Sequence, residues 1–134
     1  MLGSKLSQGI YTILALVLPI GYTVLMDPVE ILVYREGGRE PFTDWLRGEP
    51  EATRARIDAR IIRLRSGKFG KVESVGGGVS ELKLDFGPGY RVYFGQIKPG
   101  KIVLLLGGGN KSSQQRDIRL AQERWKRYKE GRKS

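Results

Sequence analysis

The sequence of residues 81–94, ELKLDFGPGYRVYF, alternates apolar and polar side chains on both sides of a Gly-Pro-Gly turn. Successive side chains of a β-strand point to opposite faces, so this alternation predicts two antiparallel strands that share one apolar face. The opposite face is predicted to carry Glu81, Lys83, Arg91 and Tyr93. A β-sheet with one polar face is therefore expected at the centre of the fold.

A third strand and a helix follow this hairpin. Residues 101–106 are apolar on both faces, which is typical of a central strand. The sequence GGGNKSSQQ comes next and predicts a glycine loop, then a helix that begins at Ser112 or Ser113 with SSQQ resembling a capping box. Arg91 and Lys111 are therefore expected at adjacent strand ends.

The residues before the hairpin predict one more strand and two helices. Residues 29–34 are β-branched and apolar and predict a strand. Pro41 suits the first turn of a helix, and a second helix is expected over residues 51–65, with five arginines outside its apolar stripe. The glycine-rich stretch that ends at Gly78 predicts a loop.

These elements define an expected fold. Their order is βααβββα, which predicts a small α+β domain with an antiparallel sheet, an N-terminal helical hairpin and a C-terminal helix. The domain is expected over residues 26–134. Residues 1–25 form a separate apolar extension.

The apolar extension allows three interpretations. Residues 6–26 carry no charge and are long enough to span a bilayer, but Pro19 and Gly21 interrupt them. A signal peptide would need more basic residues than Lys5 and a cleavage site of small residues. A start assigned too far upstream, with Met26 as the true beginning, is favoured over a membrane anchor. This interpretation predicts a cytoplasmic protein, with a membrane-anchored cytoplasmic domain as the lesser alternative.

Composition restricts the chemistry. The chain of 134 residues has 24 Lys and Arg against 14 Asp and Glu, which gives a net charge of +10 and favours polyanionic partners. It contains no cysteine and no histidine, so thiolate chemistry, disulfides and the usual general base are excluded. No metal site or cofactor is expected.

The glycine sequence before Lys111 differs from a nucleotide-binding P-loop. That motif has glycine directly before its lysine and again five residues earlier, where this chain has Asn110 and Leu105. Free N–H groups at a helix start beside an ammonium group still suit one phosphate. Arg91, Lys111 and Lys83 then point to a site for an RNA backbone, where the 2′-hydroxyl is itself a nucleophile.

Several sequence motifs in order resemble the RelE/HigB family of toxins, in the branch called addiction-module killer proteins. They are REPFTDWL, RLRSGKFGKVESVGGGVSEL, ELKLDFGPGYRVYF and IVLLLGGGNKSSQQRDI, and they cover nearly all of the chain after Met26. The resemblance implies a RelE-like fold and a ribosome-dependent endoribonuclease, or mRNA interferase, that cuts translated mRNA without metal and arrests growth. It also implies a cognate antitoxin, often a helix-turn-helix protein.

The resemblance also implies site residues. The arginine of the family's GYR motif corresponds to Arg91, and the basic residues before the last helix and on the preceding strand correspond to Lys111 and Lys83. Where studied relatives have a tyrosine in the last helix, this chain has Gln115, Arg116 and Asp117, so Asp117 or Lys83 is the candidate base. The residues expected to contact RNA are Tyr93, Ser112 and Gln115.

Two other functions are compatible with the expected fold and charge, although a gyrase binder would not need the convergent cations Arg91 and Lys111. The ParE branch of this fold inhibits DNA gyrase by binding it without catalysis, and fold alone does not distinguish the two activities. A generic RNA-binding module would show steep salt dependence but would not arrest growth.

Overall fold

The structure is a computed structural model that describes residues 28–132 and, in their backbone, residues 4–5, 15–17 and 23–25. These short segments are strands β1 (Ser4–Lys5), β2 (Ala15–Val17) and β3 (Thr23–Leu25), of which β2 and β3 pair antiparallel. Most of the extension 1–25 and of the candidate membrane segment 6–26 lies outside the described residues. Among the residues that are described, no helix has the length and apolar character needed to cross a membrane.

From residue 28 onward the described chain contains five strands and three helices. In order they are β4 (Glu30–Val33), α1 (Pro41–Arg47), α2 (Glu51–Arg65), β5 (Val72–Gly76), β6 (Val79–Leu84), β7 (Tyr90–Lys98), β8 (Ile102–Asn110) and α3 (Gln114–Arg132). A 3₁₀ turn, Lys111–Ser113, joins β8 to α3. The α+β class is confirmed, but the order is βααββββα, with one strand more than the sequence predicts.

The additional strand is β5, in a region that was expected to be a loop. It pairs antiparallel with β6 at the edge of the sheet. Gly76, Gly77 and Gly78 lie between or at the ends of the two strands and all have positive φ, a conformation that glycine adopts without steric cost. The prediction of a loop was wrong because β5 is mostly exposed and lacks the apolar alternation of a half-buried strand.

The sheet is mixed rather than antiparallel. Its strand order is β1-β4-β8-β7-β6-β5, and β4 runs parallel to β8 while the other neighbours are antiparallel. The expectation of a wholly antiparallel sheet was therefore wrong. Strands β4 and β8 are far apart in the sequence, so no turn sets their relative direction. The central position of β8 is confirmed.

The three glycines at 107–109 belong to β8 and not to the loop expected there. Each leaves room for a side chain from another element. A β-carbon at Gly108 would collide with the Trp45 ring, and one at Gly109 would collide with the carboxylate of Asp117. At Gly107 it would approach the end of the Arg124 side chain. Three consecutive glycines predicted a flexible loop, but here they form a strand because side chains of other elements lie directly against it.

The sheet is covered on both faces. Helices α1 and α2 pack on one face, where Phe42 and Ile57 join the apolar residues of the strands. Helix α3 packs on the other, and its residues Ala121, Trp125 and Tyr128 are buried there, as the helical periodicity predicts. Much of the face predicted to be polar therefore lies beneath α3, which buries Glu81 and Tyr93.

Candidate functional site

The basic residues predicted to act together lie at one end of the sheet. Lys83 on β6 is directly opposite Arg91 on β7, and Arg91 is opposite Gly109 on β8. The carboxylate of Asp117 occupies the space over Gly109, where a β-carbon would otherwise stand. Lys111 begins the 3₁₀ turn directly after β8. The four residues that the sequence nominated for catalysis are thus neighbours.

The turn between β6 and β7 brings Arg91 and Lys111 towards one point. A β-carbon built on Gly89 would lie 3.2 Å from Nη1 of Arg91 and 3.7 Å from Cβ of Lys111. Gly89 has φ of +79°, which favours glycine, and its carbonyl accepts a 2.8 Å hydrogen bond from Nη1 of Arg91. The Gly-Pro-Gly turn therefore holds the guanidinium in place.

Arg91 is mostly buried, with 10% of its side chain exposed. Its Nε lies 3.6 Å from Oε2 of Glu81, close enough for an ion pair but too far for a hydrogen bond. Nε is a buried polar atom with no hydrogen-bond partner in the described part of the chain. Arg91 is thus a fixed positive charge beneath the surface, while one of its donors is left unsatisfied.

Glu81 is the buried counter-charge that sequence reasoning missed. It is 1% exposed and accepts hydrogen bonds from the Tyr93 hydroxyl at 3.0 Å and from Nε2 of Gln114 at 2.8 Å. These contacts tie β6, β7 and α3 together. The alternation placed Glu81 correctly on the face with Tyr93 and Arg91, but nothing in the local sequence indicates that α3 covers that face.

Tyr93 was predicted to contact RNA, and the structure places it in the core instead. It is 0% exposed, and its hydroxyl donates to Glu81. An RNA base has no access to a ring that is covered in this way, so the expectation is corrected. Burial, then the adjacent Glu81 carboxylate, raises the pKa of the Tyr93 phenol well above its ordinary value.

This raised pKa predicts a loss of stability in alkali. The unfolded chain ionises Tyr93 near pH 10 whereas the folded chain keeps it protonated, so its contribution is fully present below pH 10 and decreases as the pH rises above it. The slope is at most about 1.4 kcal/mol per pH unit for this group. Urea unfolding at pH 8 and at pH 11 should show a smaller alkaline loss in Tyr93→Phe than in wild type. Equal losses would contradict the assignment.

A capping box is present, but it begins at Asn110 and not at the predicted Ser112 or Ser113, and it caps the 3₁₀ turn that leads into α3. The Asn110 side chain accepts a hydrogen bond from the backbone N–H of Ser112 at 2.9 Å, while Oγ of Ser113 accepts one from the Asn110 N–H at 3.3 Å. Ser113 also donates to Asp117 at 2.5 Å. Because Asn110 already accepts the hydrogen bond from the N–H of Ser112, that N–H is not available to a phosphate. The predicted phosphate site is therefore reduced to Lys111 and its exposed neighbours.

Several other predicted site residues are accessible to solvent, unlike the buried Arg91. Lys111, Ser112 and Gln115 are exposed. Lys83 has 34% of its side chain exposed, with Nζ 3.7 Å from a carboxylate oxygen of the exposed Glu73. Asp117 is buried except at its edge, which lines a groove between α1 and the start of α3. The site combines the accessible Lys111, the buried Arg91–Glu81 pair and the Asp117 carboxylate, with the partly exposed Lys83 on the neighbouring strand.

Trp45 of α1 also lines that groove. The indole lies over Gly108 and is 6.4 Å from the Tyr90 ring, centroid to centroid. Within residues 28–132 and the short N-terminal strands, no group of three or more acidic side chains is placed to hold a metal ion.

Comparison with known proteins yields one informative relationship. No protein-family model matches the chain, and no solved structure matches it. The chain is 46% identical over 81 residues to an uncharacterized protein of Haemophilus influenzae, an alignment that covers 60% of this chain and 81% of that protein. The chain therefore belongs to the same protein family as this Haemophilus influenzae protein.

Proposed function

We propose that this protein is the toxin of a toxin-antitoxin module, similar to RelE and HigB, and cleaves translated mRNA on the ribosome. The observation that carries the proposal is that Arg91 and Lys111 approach one point beside Asp117, with Lys83 as the cross-strand partner of Arg91. Dependence on ribosomes would place its action in the cytoplasm. Its partners would be mRNA, the ribosome and an antitoxin, for which a helix-turn-helix protein is the expected type.

The proposed reaction uses the 2′-hydroxyl of the RNA as nucleophile. Asp117 accepts the hydroxyl proton, the 2′-oxygen forms a bond to the adjacent phosphorus, and the bond to the 5′-oxygen breaks. Lys111 donates a proton to that leaving oxygen. The products are a 2′,3′-cyclic phosphate and a 5′-hydroxyl. No cofactor or metal takes part in the proposed scheme.

The burial of Arg91 suits it to stabilise the pentavalent phosphate. A positive charge held by Gly89 and Glu81 does not have to reorganise as negative charge develops, and it is screened less than an exposed charge. Lys83 and Lys111 reach solvent and are suited to contact the phosphate directly. Asp117 as base requires the substrate to reach its exposed edge or Ser113 to release it.

Lys111 offers the clearest test because it is exposed and no ion pair joins it to another described residue. We expect Lys111→Ala to fold normally but to lose about 10²-fold in cleavage, the loss typical when one group that stabilises the transition state is removed. Lys101→Ala is the matched control, since Lys101 is also exposed and lies at the other end of β8. The measurement is mapping of mRNA 5′ ends after induced expression.

The results separate the candidate functions. Cuts inside codons of translated messages that end in 5′-hydroxyls, and that disappear only in Lys111→Ala, would support the nuclease. Growth arrest without new 5′ ends, together with inhibition of supercoiling by purified gyrase, would replace it by the ParE-like activity. If expression causes neither growth arrest nor cleavage, the toxin proposal is contradicted and a generic RNA-binding module remains.

A further inference from the structure

A second basic surface lies on the other side of Lys83, between α2 and the edge of the sheet. It is a groove of about 400 Å³. Three of its arginines are spaced four and three residues apart on α2, so they share one helix face. Its basic lining residues are Arg56, Arg60, Arg63, Lys71 and Lys83, and its acidic lining residue is Asp85.

Two of these arginines are held in defined positions. The guanidinium carbon of Arg56 lies 3.8 Å from the centre of the Phe86 ring. Arg60 donates to the carbonyl of Lys68 at 3.2 Å and also to that of Phe69. A guanidinium stacked on a ring keeps its N–H edge available to an anion, and an ordered side chain loses less entropy when it binds.

The cations outnumber the acidic groups near them. Burial, and then the charge of Arg63, lowers the pKa of Arg60, as expected where positive charges crowd together. Lys71 pairs with Asp85 at 3.0 Å, but 78% and 69% of these side chains are exposed. A pair this exposed contributes little and can exchange for a phosphate. The groove therefore has the charge pattern of an anion site.

Lys83 connects this groove to the proposed cleavage site. It lines the groove and is also the cross-strand partner of Arg91. We infer that the groove binds the phosphate backbone of a single-stranded RNA segment flanking the residues cleaved near Arg91. This inference rests on the proposed function for the identity of the strand, although binding in the groove does not require cleavage.

The test measures binding of a labelled 2′-O-methyl oligouridine, which lacks the nucleophile and cannot be cut, by fluorescence anisotropy over a range of salt concentrations. The variant Arg56→Gln/Arg63→Gln removes two exposed charges from the groove. The control Arg47→Gln/Lys126→Gln removes two exposed charges elsewhere. We expect only the first pair to reduce the slope of log K against log salt, by about 1.4 for two lost phosphate contacts.

Each outcome supports or overturns the inference. Equal slopes for the two double variants would overturn it, even if the wild type cleaves mRNA. Loss of binding to a poly-glutamate peptide without loss of RNA binding would also overturn it, and would assign the groove to an acidic polypeptide. A selective loss of RNA binding by a chain that never cleaves mRNA would support the groove while contradicting the nuclease. Matching thermal unfolding of the two variants shows that both are folded.

Discussion

Replacement of Arg91 by methionine is expected to lower the free energy of unfolding by about 3–5 kcal/mol. The reason is Glu81, which is 1% exposed and has Arg91 as its ion-pair partner at 3.6 Å. Without the guanidinium, a buried carboxylate keeps its hydrogen bonds from Tyr93 and Gln114 but loses its counter-charge. Urea unfolding monitored by circular dichroism measures the loss.

A double-mutant cycle isolates this interaction. Glu81→Gln removes the charge while keeping an amide oxygen that can accept a hydrogen bond, so Arg91→Met should cost less in that background. A loss below about 1 kcal/mol in Arg91→Met alone would mean that water already compensates Glu81. The expected loss of stability also limits the use of Arg91 in functional tests, because loss of activity would not distinguish a missing catalytic group from an unfolded chain. The exposed Lys111 avoids this ambiguity.

Replacement of Trp125 by alanine is expected to lower the free energy of unfolding by about 3–5 kcal/mol. The indole is 6% exposed, stacks on Tyr128 with ring centroids 5.6 Å apart, and fills the space above Gly95. Its removal leaves a cavity between α3 and the sheet that rigid strands cannot close. Chemical denaturation of the single variant tests this, and an effect under about 1 kcal/mol would show that the helix collapses into the space.

The fit between Trp125 and Gly95 can be tested from the other side. A β-carbon on Gly95 would overlap the indole, so Gly95→Ala should destabilise by about 1–3 kcal/mol. The matched control is Gly107→Ala, also in a central strand, where the new methyl group meets only the flexible end of Arg124. In a Trp125→Ala background the cost of Gly95→Ala should largely disappear. Equal costs for the two glycines would contradict the packing described here.

Local periodicity predicted much of this fold. The alternation in residues 81–94 correctly assigned side chains to the two faces of the β6–β7 hairpin, and the buried apolar residues of α2 and α3 recur at helical spacing. The same pattern placed Lys83 and Arg91 on one face, and in the structure the hairpin register makes them cross-strand partners. Strand β5 was missed because an exposed edge strand carries little periodic signal.

The sequence by itself determined that Lys83 and Arg91 share a face and that Arg91 and Lys111 lie at adjacent strand ends. Only the tertiary structure decided that this face lies beneath α3, so that Glu81 and Tyr93 are buried and Arg91 serves as a fixed internal charge. It also decided that β4 runs parallel to β8 and that residues 107–109 form a covered strand. The physical reason is that periodicity reports only the local backbone conformation, whereas the burial of a face depends on elements distant in the sequence that pack against it.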